Sequence, residues 1–483
     1  MRQSLALAAL LPLLAACAVG PHIPHVNAPL PAAFESQPTP APSEVRIDKW
    51  WSLYNDPQLE GLVEQALRSA PDARSAMSRL EQAKYVRSSA LSSFWPQGNV
   101  QGQFDRTGTT TIQGPAPLQI APGEFISLTN SGVLDSYGAN FNVTWEADLF
   151  GRGAATRKKA NADLSAARFD FEASRTSLAA NVADQLFQAR GLAIQLEDAK
   201  QEAEIERQLA DVAGKKAKYG LGPLSDAQQT DSQLAQSKAQ VADLTTQLHA
   251  AKRTLLVLVG RGADPIDSLS ANAADVGVAP AIPTSVPGQL LARRPDIREA
   301  AAQITSAKGA YRLDELALFP TFNLTPGVGL TSATELGSAI TSDSWTLGAS
   351  ALQPILDIPR LMAQIKVQGQ QATQSVIAYE KAVQTAYGES DNALVQLGSD
   401  EERVRLLKTG EAEGLSAYEA SKKRYQAGID DLSTVLTAER TWRSARTALT
   451  GAEVQALRRS VQAFKALGGG WTPPDMKMAN ASR

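Results

Sequence analysis

The sequence predicts a mixed α and β membrane protein: two-faced strands that cross a bilayer as part of a barrel, standing on a tube of long helices. Three observations predict it. From Ser136 to Phe150, Ala139, Phe141, Val143, Trp145 and Ala147 alternate with Asn140, Asn142, Thr144, Glu146 and Asp148, the period of a strand with one apolar and one polar face. After Gly151-Arg152-Gly153 the period changes, and the chain runs from Ala154 to Tyr219 without a proline at helical spacing. Finally, the chain contains itself twice.

The N-terminus opens with Arg2 and a short apolar core, Leu5–Leu14, which predicts a secretory signal over residues 1–16. It ends Leu14-Ala15-Ala16-Cys17, and Cys17 is the only cysteine. The pattern resembles a bacterial lipobox, whose cysteine is acylated with palmitate-type chains. Each buried methylene adds about 0.8 kcal/mol of membrane affinity. Ala18 after the cysteine is compatible with the outer membrane. Residues 17–48 then form a lipidated, proline-rich tether; His22 and His25 within it are too few for a metal site.

Two structural repeats follow, residues 49–270 and 295–467, with a linker at 271–294 and a tail at 468–483. Pro71-Asp72-Ala73-Arg74 recurs as Pro295-Asp296-Ile297-Arg298, Ala83-Lys84 as Ala307-Lys308 and Trp95-Pro96 as Phe319-Pro320, all at one offset. The offset shortens before Arg152 meets its counterpart Arg360. The first copy therefore carries extra residues, including the surface loop expected at Thr107–Gly123. Lys216, Tyr219 and Gly222 match Lys422, Tyr425 and Gly428. Each copy reads as a helix (Gln58–Phe94; Pro295–Leu318), two strands, a long helix (Ala154–Tyr219; Arg360–Tyr425), a glycine turn and a return helix (Ser225–Val259; Leu432–Leu467).

The long helices carry a heptad-like stripe, Leu178, Val182, Leu186, Ala189, Ala193 and Leu196 in one and Val376, Tyr379, Val383, Ala386, Ser390, Ala393 and Leu397 in the other. A partial second stripe passes through Phe187 and Ile194, so such a helix can hold a neighbour on each side. Each would reach about 100 Å. Four strands of about ten residues suit a bilayer but cannot close a barrel, and an open edge is not tolerated in lipid. Several chains must then share one barrel: two would give a filled barrel, three a channel.

Composition excludes other classes. Of 483 residues, 43% are hydrophobic, 6% aromatic and 20% charged; the net charge of −3 without a basic block argues against nucleic acid. Three histidines and an anchoring cysteine leave nothing for Ser-His-Asp or Cys-His chemistry, His249 stands alone on a helix, and no phosphate-binding Gly-Lys-Ser/Thr loop occurs. No enzyme and no cofactor is expected. The rival readings are a periplasmic coiled-coil scaffold lipoprotein without a pore, which has no use for membrane-length strands, and a cell-wall enzyme, for which no carboxylate pair is placed.

Specific motifs sharpen this. Lys49-Trp50-Trp51 with Asp56-Pro57-x-Leu59, Leu290-Leu291-x-Arg293-Arg294-Pro295-Asp296-Ile297-Arg298, Asp148-Leu149-Phe150-Gly151-Arg152 and Arg424-Tyr425-Gln426-Ala427-Gly428 resemble the TolC-like outer-membrane factors, in the lipoprotein branch that serves multidrug efflux. The resemblance implies a homotrimer: a 12-stranded outer-membrane β-barrel continuous with a periplasmic α-helical barrel. It implies a passive duct that meets a periplasmic adaptor and an inner-membrane RND-type transporter. The tunnel tip would be Tyr219–Asp231 and Tyr425–Glu439. There the family often has an aspartate where this chain has Gln228 and another at Thr437, and its apolar gate position is Ser433. Asp226, Asp231, Asp430 and Asp431 lie close by and are gate candidates. Helix capping competes as an explanation for Asp226 and Asp430. Gly222 and Gly428 are the candidate adaptor-contact turns.

Overall fold

The structure, a computed structural model, describes residues 23–35, 47–110, 118–126, 132–270, 277–282, 287–335 and 338–472. Cys17, His22, most of the tether and the end of the tail lie outside them. The chain forms two compact units. One contains Lys84–Asp163 and Ile304–Ser375; the other contains His25–Ala83, Leu164–Gln303 and Val376 onward.

The first unit is built on one antiparallel sheet. Its strands are β1 (Gln97–Thr109), β4 (Gly132–Ala147), β5 (Thr321–Glu335) and β6 (Ser338–Leu352), in the order β1-β4-β5-β6. At 13, 16, 15 and 15 residues they are longer than the ten expected. Apolar alternation marked only their middles, and hydrogen-bonded pairing continues into the polar ends. The expected loop Thr107–Gly123 is partly strand. β1 runs to Thr109, and β2 (Leu118–Ala121) pairs with β3 (Glu124–Ile126) as a small hairpin.

The helices are α1 (Pro57–Ser69), α2 (Pro71–Ser92), α3 (Arg152–Lys218), α4 (Leu224–Leu258), α5 (Pro295–Leu316), α6 (Ile358–Gln426) and α7 (Leu432–Ala466), with a single helical turn at Leu290–Arg293. Among the described residues no helix is long and apolar enough to cross a membrane. The single helix expected over Gln58–Phe94 is two. Pro71 forces Ala70 out of the helical region, to ψ 142°, and α2 restarts with that proline in its first turn. α2 and α5 have 22 residues each, and α4 and α7 have 35 each.

In the second unit α3 does hold neighbours on two sides. Ala189, Leu192, Leu196 and Ala199 pack against Leu244 and Ala251 of α4. On the other side α3 meets α7 through ion pairs: Asp184 with Arg458 at 2.7 Å, Asp198 with Arg446 at 3.1 Å and Glu206 with Arg440 at 3.2 Å. Gly191 lets the two helices approach, since a Cβ there would collide with Val454. α7 in turn meets α6, where Tyr418 stacks on Trp442 with centroids 5.5 Å apart and Trp442 donates to Glu411 at 2.7 Å. The helices are therefore ordered α4-α3-α7-α6. At one end of this layer Trp50 is fully buried, stacked on Phe464 and edged by Trp51 and Tyr54.

Candidate channel wall and helical tip

Register divides the sheet into two chemically distinct faces. On one, Val100 pairs with Phe141 and Phe141 with Val328, which pairs with Trp345; Trp145 pairs with Leu324 and Phe104 with Tyr137. These side chains are exposed: Val100 and Trp345 are each 77% accessible. On the other face the paired rows read Gln101, Asn140, Gly329, Ser344 and Asn99, Asn142, Gly327, Thr346. A broad exposed apolar surface backed by a polar one is the signature of a wall between lipid and water. β1 and β6 are edges within the chain.

The wall ends in an aromatic joint. Trp145 donates its indole N–H to the Phe94 carbonyl at 3.1 Å, and Phe150 stacks on Phe319 at 5.0 Å. Asp148 accepts from the backbone N–H groups of Arg152 at 2.7 Å and Gly153 at 3.0 Å. It thus opens α3 with a charged cap, and Gly153 is required because a Cβ there would lie 2.9 Å from Asp148 Oδ2.

The tip residues lie in the second unit, at two turns. α3 closes on Gly220, at φ +71°, with Leu221 N–H returning to Lys216 O at 2.8 Å. α6 closes in the same way on Gly428, at φ +73°, with Ile429 N–H on Arg424 O at 2.9 Å. Gly220, not Gly222, is thus the conformational counterpart of Gly428; Gly222 has no left-handed φ. α4 begins after Pro223, which gives no side-chain cap, and Asp226 lies in its first turn. Gln228 and Asp231 are exposed further along α4. Asp430 is no cap. It receives Arg424 in two 2.9 Å hydrogen bonds, and Asp431 caps α7 by accepting from Thr434 N–H at 2.9 Å. The Thr434 hydroxyl, that N–H and the Ser433 hydroxyl together pull the Asp431 carboxyl down to about 2. Thr437 donates to Ser433 O at 2.8 Å. Tyr219, Leu221, Leu224, Tyr425 and Ile429 are exposed apolar groups at these two turns.

A model of the family described as outer membrane efflux protein matches residues 62–261 and 286–469. The chain belongs to the outer membrane efflux protein family. It is 28% identical over 468 residues to the pyoverdine export outer membrane protein OpmQ of Pseudomonas putida, covering 96% of this chain and 97% of that one. The solved structure of the outer-membrane channel OprN matches with a TM-score of 0.77 and 26% identity, over 94% of this chain and all of the other. The CmeC outer membrane channel of Campylobacter jejuni, at 21% identity, shares the fold with a TM-score of 0.79 over 96% of this chain and 98% of that one. The chain is an outer-membrane channel component of an efflux system, and its family members are channels rather than enzymes.

The motifs by which this efflux protein resembles its family are joints. Asp56 caps α1 and pairs with Arg190. Arg294, with its side chain only 10% exposed, pairs with Asp296 and Glu389 and donates to Ala466 O at 3.2 Å, tying down the end of α7. Nothing in the sequence marked Arg190, Arg440, Arg446 or Arg458 as partners of these buried carboxylates, because each pair spans more than one element.

Proposed function

We propose that three copies of this chain close a 12-stranded outer-membrane barrel, continuous with a periplasmic α-helical barrel. The assembly is a passive duct for substrates handed over by a periplasmic adaptor and an inner-membrane RND-type transporter. The observation that carries this reading is the sheet: two chemically distinct faces and two open edges, which lipid does not tolerate unless another chain covers them. The helix order, with α4 and α6 outermost, calls for the same closure. Cys17 carries the acyl anchor in outer-membrane lipid. The two turns, with their exposed apolar side chains, dock the adaptor through Gly222 and Gly428 and their neighbours. Asp226, Gln228, Asp231, Asp430, Asp431, Ser433 and Thr437 surround the gate.

Cysteines placed in β1 and β6 test the closure, since Cys17 is the only native thiol. Oxidation in native outer membranes is expected to yield a covalent trimer, and purified trimer is expected to conduct in planar bilayers. A stable lone monomer, or trimer without conductance, overturns the duct and favours the scaffold.

A further inference from the structure

The polar face of the sheet has a pattern that its barrel role does not require. Rows across it each contain a glycine: Gly329 between Asn140 and Ser344, Gly327 between Asn142 and Thr346, and Gly348 beside Thr325. Glycine weakens a strand interior, and there it marks a place where something approaches closely. Here the approaching groups are the neighbours' own side chains. A Cβ built on Gly329 would collide with Asn140 Oδ1 and lie 3.0 Å from Ser344 Oγ. One on Gly327 would meet Thr346 Oγ1 at 2.8 Å and Asn142 Oδ1 at 3.0 Å, and one on Gly348 would collide with Thr325 Oγ1. Directly opposed residues hold their Cβ atoms only about 5 Å apart, so a side chain can lie across its neighbour only where that neighbour has none. On the apolar face Gly102 has nothing near it, and a Cβ on Gly98 would meet the Phe141 ring at 3.1 Å; on the polar face the groups that lie in the recesses are hydrogen-bonding side chains.

We propose that Gly327, Gly329 and Gly348 are recesses that keep the bore wide. Asn140, Asn142, Thr325 and Thr346 lie flat across them instead of standing into the lumen, and the glycines thereby set the largest solute the barrel passes. Filling a recess turns its occupant upward, so one methyl group on the wall displaces a whole polar side chain into the aqueous path. The size limit at the outer membrane is then written in backbone positions as much as in side chains. This rests on the duct reading, in which the polar face lines the lumen.

The test is polymer exclusion. Polyethylene glycols of graded size are added to the strand side of single trimers in planar bilayers, and the largest one that enters and reduces the current is recorded. Gly329→Ala is expected to lower that limit by at least one size class. Asn140→Ala in the Gly329→Ala background is expected to restore it, and Gly102→Ala to leave it unchanged. Asn140→Gln, which leaves the glycine in place but is too long for the recess, is expected to lower the limit as Gly329→Ala does. This variant keeps the test available should Gly329→Ala not assemble. An unchanged limit in Asn140→Gln or in assembled Gly329→Ala, or a reduced limit that Asn140→Ala does not restore, overturns the recess while leaving the duct standing. Absence of current from the parent trimer overturns both.

Discussion

Replacing Arg440 with alanine isolates one rung of the α3–α7 seam. The Glu206 side chain is 3% exposed and that of Arg440 43%; Arg440 donates to Glu206 Oε1 at 3.2 Å, and Glu206 Oε2 is buried without a hydrogen-bond partner. Removing the guanidinium leaves a carboxylate cut off from water with nothing to offset its lost hydration. Breaking a buried pair costs about 3–5 kcal/mol. Because Arg440 is half in solvent, the lower end applies, about 3 kcal/mol. The same truncation at Arg405, whose partner Glu402 shares its exposed surface, removes a pair worth about 0–1 kcal/mol. The assay is thermal loss of helix by circular dichroism on detergent-solubilised protein at one fixed scan rate, since assemblies of this size unfold irreversibly. Arg440→Ala is expected to melt well below Arg405→Ala. The double change Glu206→Leu with Arg440→Leu is expected to recover most of the loss, because an apolar pair carries no desolvation cost. Equal melting of the two single variants, or a double variant no better than Arg440→Ala, refutes the reasoning.

Other outcomes follow from single residues. Cys17→Ser is expected to give exported protein without lipid, checked by labelled acyl chains; label on the variant contradicts the anchor. Gly428→Val places a branched side chain at φ +73°, a left-handed conformation costing about 1–2 kcal/mol. It is expected to weaken capture of the adaptor while trimer assembly, seen by native electrophoresis, survives. Asp431→Ala removes the α7 cap at about 1 kcal/mol. Its carboxyl is depressed to about 2, so the cap contributes fully above the ordinary aspartate value of about 3.9 and is lost as pH falls through about 2. The melting difference between Asp431→Ala and the parent is thus expected to hold from neutral pH to about pH 4 and to shrink below it. Burial pushes the Asp198 carboxyl up despite Arg446 beside it, and the sign reverses. Its ionisation is penalised in the fold, so Asp198→Asn is expected to gain most, relative to the parent, above the folded value.

What the sequence made legible was whatever a period records. Alternation across Phe141, Val143 and Trp145 marked β4, and the heptad stripe through Val182 and Leu186 marked residues that prove fully buried in α3. The long helices end within two residues of their expected limits, because a glycine or proline stands at each stop. Geometry without a period was not legible. A proline is tolerated in the first turn of a helix, so Pro71 could continue one helix or begin another. Gly220 and Gly222 are equally able to take a left-handed φ. The choice falls to Gly220 because Leu221 N–H can then reach Lys216 O. Aspartates in succession, Asp430 and Asp431, divide cap and ion pair between them only once Arg424 is in place. The carboxylates of α3 recur at helical spacing, but the arginines that meet them lie on α7, more than two hundred residues away.

The strand and helix layers share one design. In the sheet, β4 and β5 are inner and β1 and β6 outer; among the long helices, α3 and α7 are inner and α4 and α6 outer. In each layer the contact between the first half of the chain and the second lies in the middle: β4 on β5 through register, α3 on α7 through Asp184, Asp198 and Glu206. A chain that spends its strongest internal pairing at its centre presents two unlike edges, one from each half. In the trimer proposed above, copies associate head to tail, the first-half edge of one chain on the second-half edge of the next, until rotation closes the ring. On that proposal the α3–α7 ion pairs brace the middle of each chain, and ring size is expected to follow from the curvature of one chain. If three copies close as proposed, a substitution that loosens the α3–α7 seam, such as Arg440→Ala, is expected to disturb closure from the middle of the helical layer. Wild-type trimer yield from that variant, despite its lower melting, would show that curvature is set at the edges instead.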